Sequence, residues 1–396
     1  MNLTLGLERC LETPPDLLRS KRFGLLLNQA SVDQNFQTTH TLLQNRFPGQ
    51  MIALFGPQHG LFSEQQDNMI ETAHTRDTNL GIPIYSLYAD QRKPTPDMLK
   101  DLDLFVVDLQ DVGTRVYTYI WTLSYCLEAC AEQGIPVLIL DRPNPLGGVI
   151  VEGPLLDDHF ASFVGRTSIP MRHGLTLGEM ALYLNEVMSI GADVQVIAMQ
   201  GWQRDMLWPD THRPWIPTSP NLPRFTGVQL YPGQVLIEGT QLSEGRGTTT
   251  PFEIVGTPYI DPEPLIKQLQ EWRHPGLALR PIRFEPTFQK YAQQSCAGLF
   301  LHPTNTLTLR SYRFTLALIG AIRTLWPDHF AWLPGPYEYE SKLAPIDMLT
   351  GDDRARLAID KGLNKETLDD ISRVDVDHWT EKSSPYKLYP GPMFKG

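Results

Sequence analysis

The sequence predicts an α/β protein, with a doubly wound parallel-sheet domain over residues 1–227 and a smaller mixed α/β domain over residues 228–396. Three observations carry that expectation. Short, almost continuous apolar runs alternate with helical patterns through the first half, as strands buried on both faces require. The 396 residues exceed what one hydrophobic core comfortably holds. Four prolines also fall within residues 213–223, "RPWIPTSPNLP", and beyond them the alternation changes.

The strands are expected at 22–29, 51–57, 82–87, 104–111, 135–143 and 194–199. Between them, Thr95-Pro96 supplies an N-cap followed by proline at the first helical position. Ile120, Leu123, Leu127 and Cys130 share one face of a helix that Gly134 ends. Thr176 and Glu179 form a capping box for a third helix. In the second domain, 234–241, 281–288 and 297–303 read as strands of a mixed sheet, and 312–326 as a buried helix. The tail after Asp352 is polar and helical in pattern.

A formal net charge of −11 sets the chain against nucleic acid, whose phosphates would repel it, and no basic tract offsets this. The first residues combine acids and prolines where a secretory leader needs basic and apolar stretches, and no apolar run is long enough to cross a bilayer. The expectation is a cytoplasmic protein with no membrane partner. Cys10, Cys126, Cys130 and Cys296 are too few for a disulfide framework. Cys126 and Cys130 could form half a metal site, but no second pair completes it, so they read as small buried apolar residues.

No P-loop, HExxH or GxSxG motif is present, and no cofactor is expected. The chemistry on offer is carboxylate, amide, imidazole and guanidinium beside turns that follow predicted strands, which suits a sugar ligand. His59 lies between Pro57 and Gly60, a sharp exit that either exposes the ring or ties it to backbone; Gln58 adjoins it and Glu64 and Glu71 follow. Gln110, Asp111, Arg115 and Tyr117 gather where a strand becomes a helix; Asp111 either binds a ligand or caps the helix with Arg115 as its ion-pair partner. Asp141, Arg142 and Asn144 follow the next strand, and Glu152 ends the apolar run "VIV" as a partly buried carboxylate suited to general-acid duty or to accepting a strand-end hydrogen bond. Arg172 and His173 precede the capped helix, where Glu179 belongs to the capping box. "IEGTQLSEGRGTTTPFE" supplies Glu238, Glu244, Arg246 and Glu253, with a Glu244–Arg246 pair either local or closing a cleft.

These blocks, from "GLLLNQAS" through "DLQDVGTRVYTY", "DRPNPLGG", "FVGRTSIPMRHGLTLGE", "PTSPNLP" and "EGTQLSEGRGTTTPFE" to "IDMLTG", run in order over nearly the whole chain. They resemble a family once catalogued as a domain of unknown function, some members of which are exo-β-N-acetylmuramidases of peptidoglycan recycling. The resemblance implies a Rossmann-like N-terminal domain, a smaller α/β C-terminal domain closing a cleft, and release of terminal N-acetylmuramic acid from a small saccharide or muropeptide without metal or nucleotide. The family's loop commonly reads Pro-Glu-His-Gly, with that glutamate a leading candidate for catalysis. Here the loop is Pro57-Gln58-His59-Gly60, and an amide is neither acid nor base.

Glu71 and Glu152 are therefore the principal acid/base candidates, with Glu244 a third and His59 beside them. Gln58, Gln110, Asp111, Arg115, Tyr117, Asp141, Asn144, His173 and Arg246 are the candidates for holding the sugar's hydroxyls, its N-acetyl group or its lactyl carboxylate, the last suited to an arginine fork. Three outcomes stay open: a muramidase with a relocated carboxylate, a sugar-binding protein without turnover, and a hydrolase of another glycan.

Overall fold

The computed structural model describes residues 3–61, 74–88 and 91–391. In chain order its strands are β1 (Phe23–Leu27), β2 (Met51–Gly56), β3 (Thr75–Arg76), β4 (Pro83–Ser86), β5 (Leu104–Asp108), β6 (Val137–Leu140), β7 (Glu152–Leu155), β8 (Pro170–Arg172), β9 (Val194–Ile197), β10 (Ile254–Thr257), β11 (Leu277–Phe284) and β12 (Cys296–Pro303). The first sheet runs β3-β4-β2-β1-β5-β6-β9 and is parallel except for the antiparallel edge strand β3.

β1 and β5 are buried at every residue, and alternate side chains serve opposite faces. Leu26, Phe55, Phe105 and Val107 join a core with helix Tyr119–Gln133, whereas Leu25, Leu54, Leu104 and Val106 join Leu7 and Leu43 of the helices Gly6–Glu12 and Thr39–Arg46. Helices thus cover both faces, which explains why the strands are continuously apolar. The chain turns from β1 to β2 in one direction and places β5 on the other side of β1. A crevice opens beyond the carboxyl ends of the strands at such a reversal.

Gly134 ends helix Tyr119–Gln133 in the left-handed conformation, and Thr176 with Glu179 caps helix Leu177–Val187, both as the sequence predicts. The helix that begins at Pro96 is a single turn, and the Thr95 side chain makes no cap bond.

The C-terminal part packs helices around the sheet β10-β12-β11, in which both pairings are antiparallel rather than mixed. Helix Ser311–Leu325 runs through its centre. Residues 235–239, expected as a strand, instead form a 3₁₀ turn continuing helix Phe225–Gln234. Val235, Leu236 and Ile237 are all buried, and a short apolar run cannot by itself distinguish strand from buried helix. Gly233 lets the two helices touch, since a Cβ there would meet the Ser311 carbonyl.

One apolar cluster spans both parts, joining Leu123 and Leu127 to Phe314, Leu318 and Trp379. The tail returns to the first half, where the Trp379 indole donates to the His173 carbonyl at 2.9 Å. No helix of the described residues is long and apolar enough to cross a membrane.

Candidate active site

β2 leaves the sheet at Gly56, and His59 and Gly60 take φ of 73° and 80°, two consecutive left-handed residues that turn the chain sharply. Gln58 is thereby set at the strand's carboxyl end, buried, with its Oε1 accepting from the Thr118 hydroxyl at 2.6 Å. Thr118 belongs to the segment that leads from β5 into helix Tyr119–Gln133. Beside it the Tyr117 hydroxyl donates to Thr218 Oγ1 at 2.8 Å and the Tyr119 hydroxyl to the Thr218 carbonyl at 2.7 Å. Burial pushes the Tyr117 phenol up to about 12, so it acts as a neutral donor.

The second half supplies the charges. Glu238, on the 3₁₀ turn, accepts from Arg246 Nη2 at 2.7 Å and from the Tyr337 hydroxyl at 2.6 Å. Behind it Glu244 pairs with Arg246 Nε at 3.1 Å and Lys290 Nζ at 2.9 Å. Burial pushes the Glu244 carboxyl up, but Lys290 and Arg246 outweigh it and hold the group below its ordinary value.

Glu338 comes from a two-residue turn in which Tyr337 and Glu340 exchange both backbone hydrogen bonds at 2.9 Å. Glu338 and Tyr339 have φ of 45° and 67°, as at the centre of a type I′ hairpin turn, where glycine and asparagine are the usual occupants. Each costs about 1–2 kcal/mol in that region. The turn reaches the first half: Glu338 Oε2 accepts from the Tyr88 hydroxyl at 2.7 Å and Oε1 from Gln58 Nε2 at 3.3 Å. Burial pushes the Glu338 carboxyl up, and nearby Glu238 adds to this against the lowering effect of the Tyr88 and Gln58 bonds and of Arg92.

These pieces line a pocket of about 30 Å³. One wall is Gln58, His59, Tyr117, Thr118, Ser219 and Asn221; the other is Tyr231, Glu238, Arg246, Phe252, Tyr337 and Glu338. The wall therefore mixes ring faces with converging polar groups, the composition expected of a small-molecule site. A larger cavity of about 270 Å³ lies beside Phe36 and Trp208, where Arg142 pairs with Asp108 and Arg213 with Glu8.

Gln58, His59, Tyr117 and Arg246 of the predicted set line the pocket, with Glu244 directly behind Arg246. Glu64 and Glu71 lie outside the described residues. Glu152 is elsewhere: it pairs with Arg172 Nη1 at 3.2 Å and accepts the Tyr312 amide at 3.2 Å, which makes it a strand-end acceptor. Arg115 does not pair with Asp111. Fully buried, it donates to the carbonyls of Pro154, Ile169 and Leu349 at 2.9–3.1 Å, and burial lowers it to about 10.

Asp111 does not cap the helix but closes a turn by accepting from Gly113 N at 2.7 Å through Oδ2, and His173 Nε2 stands 3.8 Å from that same oxygen. A Cβ on Gly113, at φ 77°, would collide with the Asn144 amide, which itself donates to the Leu175 carbonyl at 2.9 Å. Gln110 donates to the Asp111 and Pro143 carbonyls at 2.8 and 2.9 Å, tying the loops after β5 and β6 together. Asp141 accepts from the Thr176 hydroxyl and the Gly178 amide, both at 2.8 Å, and from Tyr389, while burial pushes its carboxyl up to about 6. Glu179 pairs with Arg204 at 2.6 Å, and Glu253 pairs with Arg224. The strand-end clusters thus form a bonded floor beneath the loops.

Sequence reasoning missed Glu338, Tyr88, Thr118 and Asn221. The one signal for Glu338 was two glutamates alternating with tyrosines after Gly335-Pro336. Among the described residues no group of three His, Cys, Asp or Glu side chains could hold a metal.

Two family models match the chain, both described as exo-β-N-acetylmuramidase NamZ: the N-terminal model over residues 23–226 and the C-terminal model over residues 229–389. The peptidoglycan β-N-acetylmuramidase NamZ of Bacillus subtilis is 38% identical over 384 residues, covering 97% of this chain and 91% of that protein. Two crystal structures of DUF1343 family proteins from Bacteroides fragilis are also similar. One has TM-score 0.89 and 31% identity over 98% of this chain and 99% of the other. The second has TM-score 0.75 and 30% identity over 99% and 100%.

Proposed function

The chain belongs to the exo-β-N-acetylmuramidase NamZ family, and from that premise we propose that it is an exo-acting glycosidase releasing terminal N-acetylmuramic acid, or a related amino sugar, from peptidoglycan fragments. The observation that carries the reading is the pocket in which two buried carboxylates, Glu238 and Glu338, face the polar loop that follows β2. Glycoside hydrolysis needs a proton for the leaving oxygen and negative charge beside the oxocarbenium-like carbon, with water as the only co-substrate. Glu238, fixed as an acceptor by Arg246 and Tyr337, supplies the charge. Asn221, Ser219 and His59 offer polar groups to hydroxyl and acetamido substituents, and Arg246, the arginine in the pocket wall, is the group suited to a lactyl carboxylate. Gln110, Asp111, Asn144 and His173 hold the loops in place, Glu244 sets Arg246, and Glu71 is a further acid candidate. A cytoplasmic muropeptide is the substrate in this reading, with the cleft closing between residues 1–227 and 228–396.

Gln58 favours a second reading, in which the protein binds the sugar without turning it over, because its amide cannot exchange a proton. Both are tested by incubating the purified chain with a chromogenic β-N-acetylmuraminide, the MurNAc–GlcNAc disaccharide and a β-N-acetylglucosaminide. Release from the first two and little from the third supports the muramidase. Saturable binding of N-acetylmuramic acid with no release from any substrate supports the binder.

A further inference from the structure

We infer that Glu338, presented by the 337–340 turn, is the proton donor to the glycosidic oxygen. The inference deepens the glycosidase reading and rests on it. Three glutamates cluster at this pocket, and their surroundings differ. Glu238 takes the Arg246 guanidinium at 2.7 Å, and Glu244 takes both Arg246 and Lys290. Glu338 enters none of the ion pairs among the described residues; its two oxygens meet only uncharged donors, the Tyr88 hydroxyl and the Gln58 amide. A carboxyl without a cation in contact is the one able to carry a proton to substrate, and the rotatable Tyr88 hydroxyl can switch from donating to accepting as Glu338 is protonated.

Its placement is specific. Two adjacent side-chain-bearing residues in left-handed conformation aim Glu338 into the cavity, and the turn is gripped from outside. Arg92 lies 4.4 Å from the Tyr339 ring and 4.0 Å from the Phe163 ring, so the first half grips the turn at Tyr339, next to Glu338. The catalytic carboxyl would thus come from the second half while the loop carrying Gln58 supplies only its orientation.

In the reaction, the Glu338 proton passes to the glycosidic oxygen as the C1–O bond breaks, and that bond's electron pair stays on the departing sugar's oxygen. One water adds its hydroxyl to C1, and its remaining proton returns to the Glu338 carboxylate. Charged or titratable groups facing Glu338 are Tyr88 and Arg92 from the first half, and Glu238, Tyr231 and Tyr337 from the second; His59 shares the cavity.

The test is Glu338→Gln in the full chain, assayed on MurNAc–GlcNAc and on an aryl muraminide whose phenol leaves without a proton. Proton donation predicts a fall of about 10²–10⁴-fold on the disaccharide and a far smaller one on the aryl glycoside, with the alkaline limb of the pH–rate curve abolished. Equal losses on both substrates with a lowered melting temperature would make Glu338 structural and overturn the inference, as would full activity on both. If the native chain cleaves an aryl β-N-acetylglucosaminide but no muraminide, the sugar assignment fails and the same comparison on that substrate decides Glu338. If it cleaves nothing, the glycosidase reading and the Glu338 inference fall together.

Discussion

At the residue scale the decisive position is Gln58. Its oxygen is taken by Thr118 at 2.6 Å and its nitrogen points to Glu338 at 3.3 Å, so the amide bridges a hydroxyl donor and a carboxylate acceptor as no other side chain of its size would. Gln58→Glu would replace the donor with a second carboxylate oxygen at that distance. Two carboxylates so close share a proton, and the pair titrates as a unit. The alkaline limb of the pH–rate profile is therefore expected to move up by about one unit or more. Profiles of kcat/KM for both proteins check this, and an unmoved limb would show that Gln58 does not face Glu338 in the working enzyme.

Among the elements, the 337–340 turn and the neighbouring 3₁₀ turn were the hardest to foresee. Type I′ turns announce themselves through glycine or asparagine, and Glu338-Tyr339 offers neither. The apolar run at 235–239 carries no periodicity. By contrast the capping box at Thr176 and the glycine stop at Gly134 were legible, because caps are local chemistry. Packing of helix Ser311–Leu325 makes a further prediction. His274 sets its ring edge-on to Phe314 at 5.0 Å, and burial, reinforced by Arg313, lowers its imidazole to about 4 from 6.5. The unfolded chain takes up this proton below pH 6.5 and the folded chain only near 4. Stability from neutral His274 is thus complete above 6.5 and is lost as pH falls toward 4, on the order of 3 kcal/mol in all. His274→Gln should flatten the melting temperature against pH across that window, with little change in the slope elsewhere.

The whole molecule is held together by groups that the sequence suggested for ligand binding. Arg115 is the clearest case. It joins the carbonyls of Pro154 and Ile169 in the first half to that of Leu349 in the second by direct hydrogen bonds. Arg115→Met would fill the space yet leave the Pro154 and Leu349 carbonyls without their donor, Ile169 keeping only the Leu156 amide, at a cost of about 3–5 kcal/mol. Denaturant unfolding should show that loss, and the protein that remains folded should keep its KM for the muraminide within about twofold. A KM raised tenfold with unchanged stability would return Arg115 to the binding site.

The sequence by itself determined the first sheet, its principal strands, the capped helices and the clustering of polar side chains after β2, β5 and β6. Period, caps and turn residues act within a few positions of one another, so they can be read without the fold. It also determined the family, through ordered blocks spread over the chain. Only the tertiary structure decided which polar groups face the cavity. Gln110, Asn144 and Glu152 look like Gln58 and His59 in sequence, yet they bond inward because backbone carbonyls and amides from distant loops must be satisfied once buried. Glu338 faces the cavity from 280 residues beyond Gln58, a contact that depends on how the two halves of the chain pack.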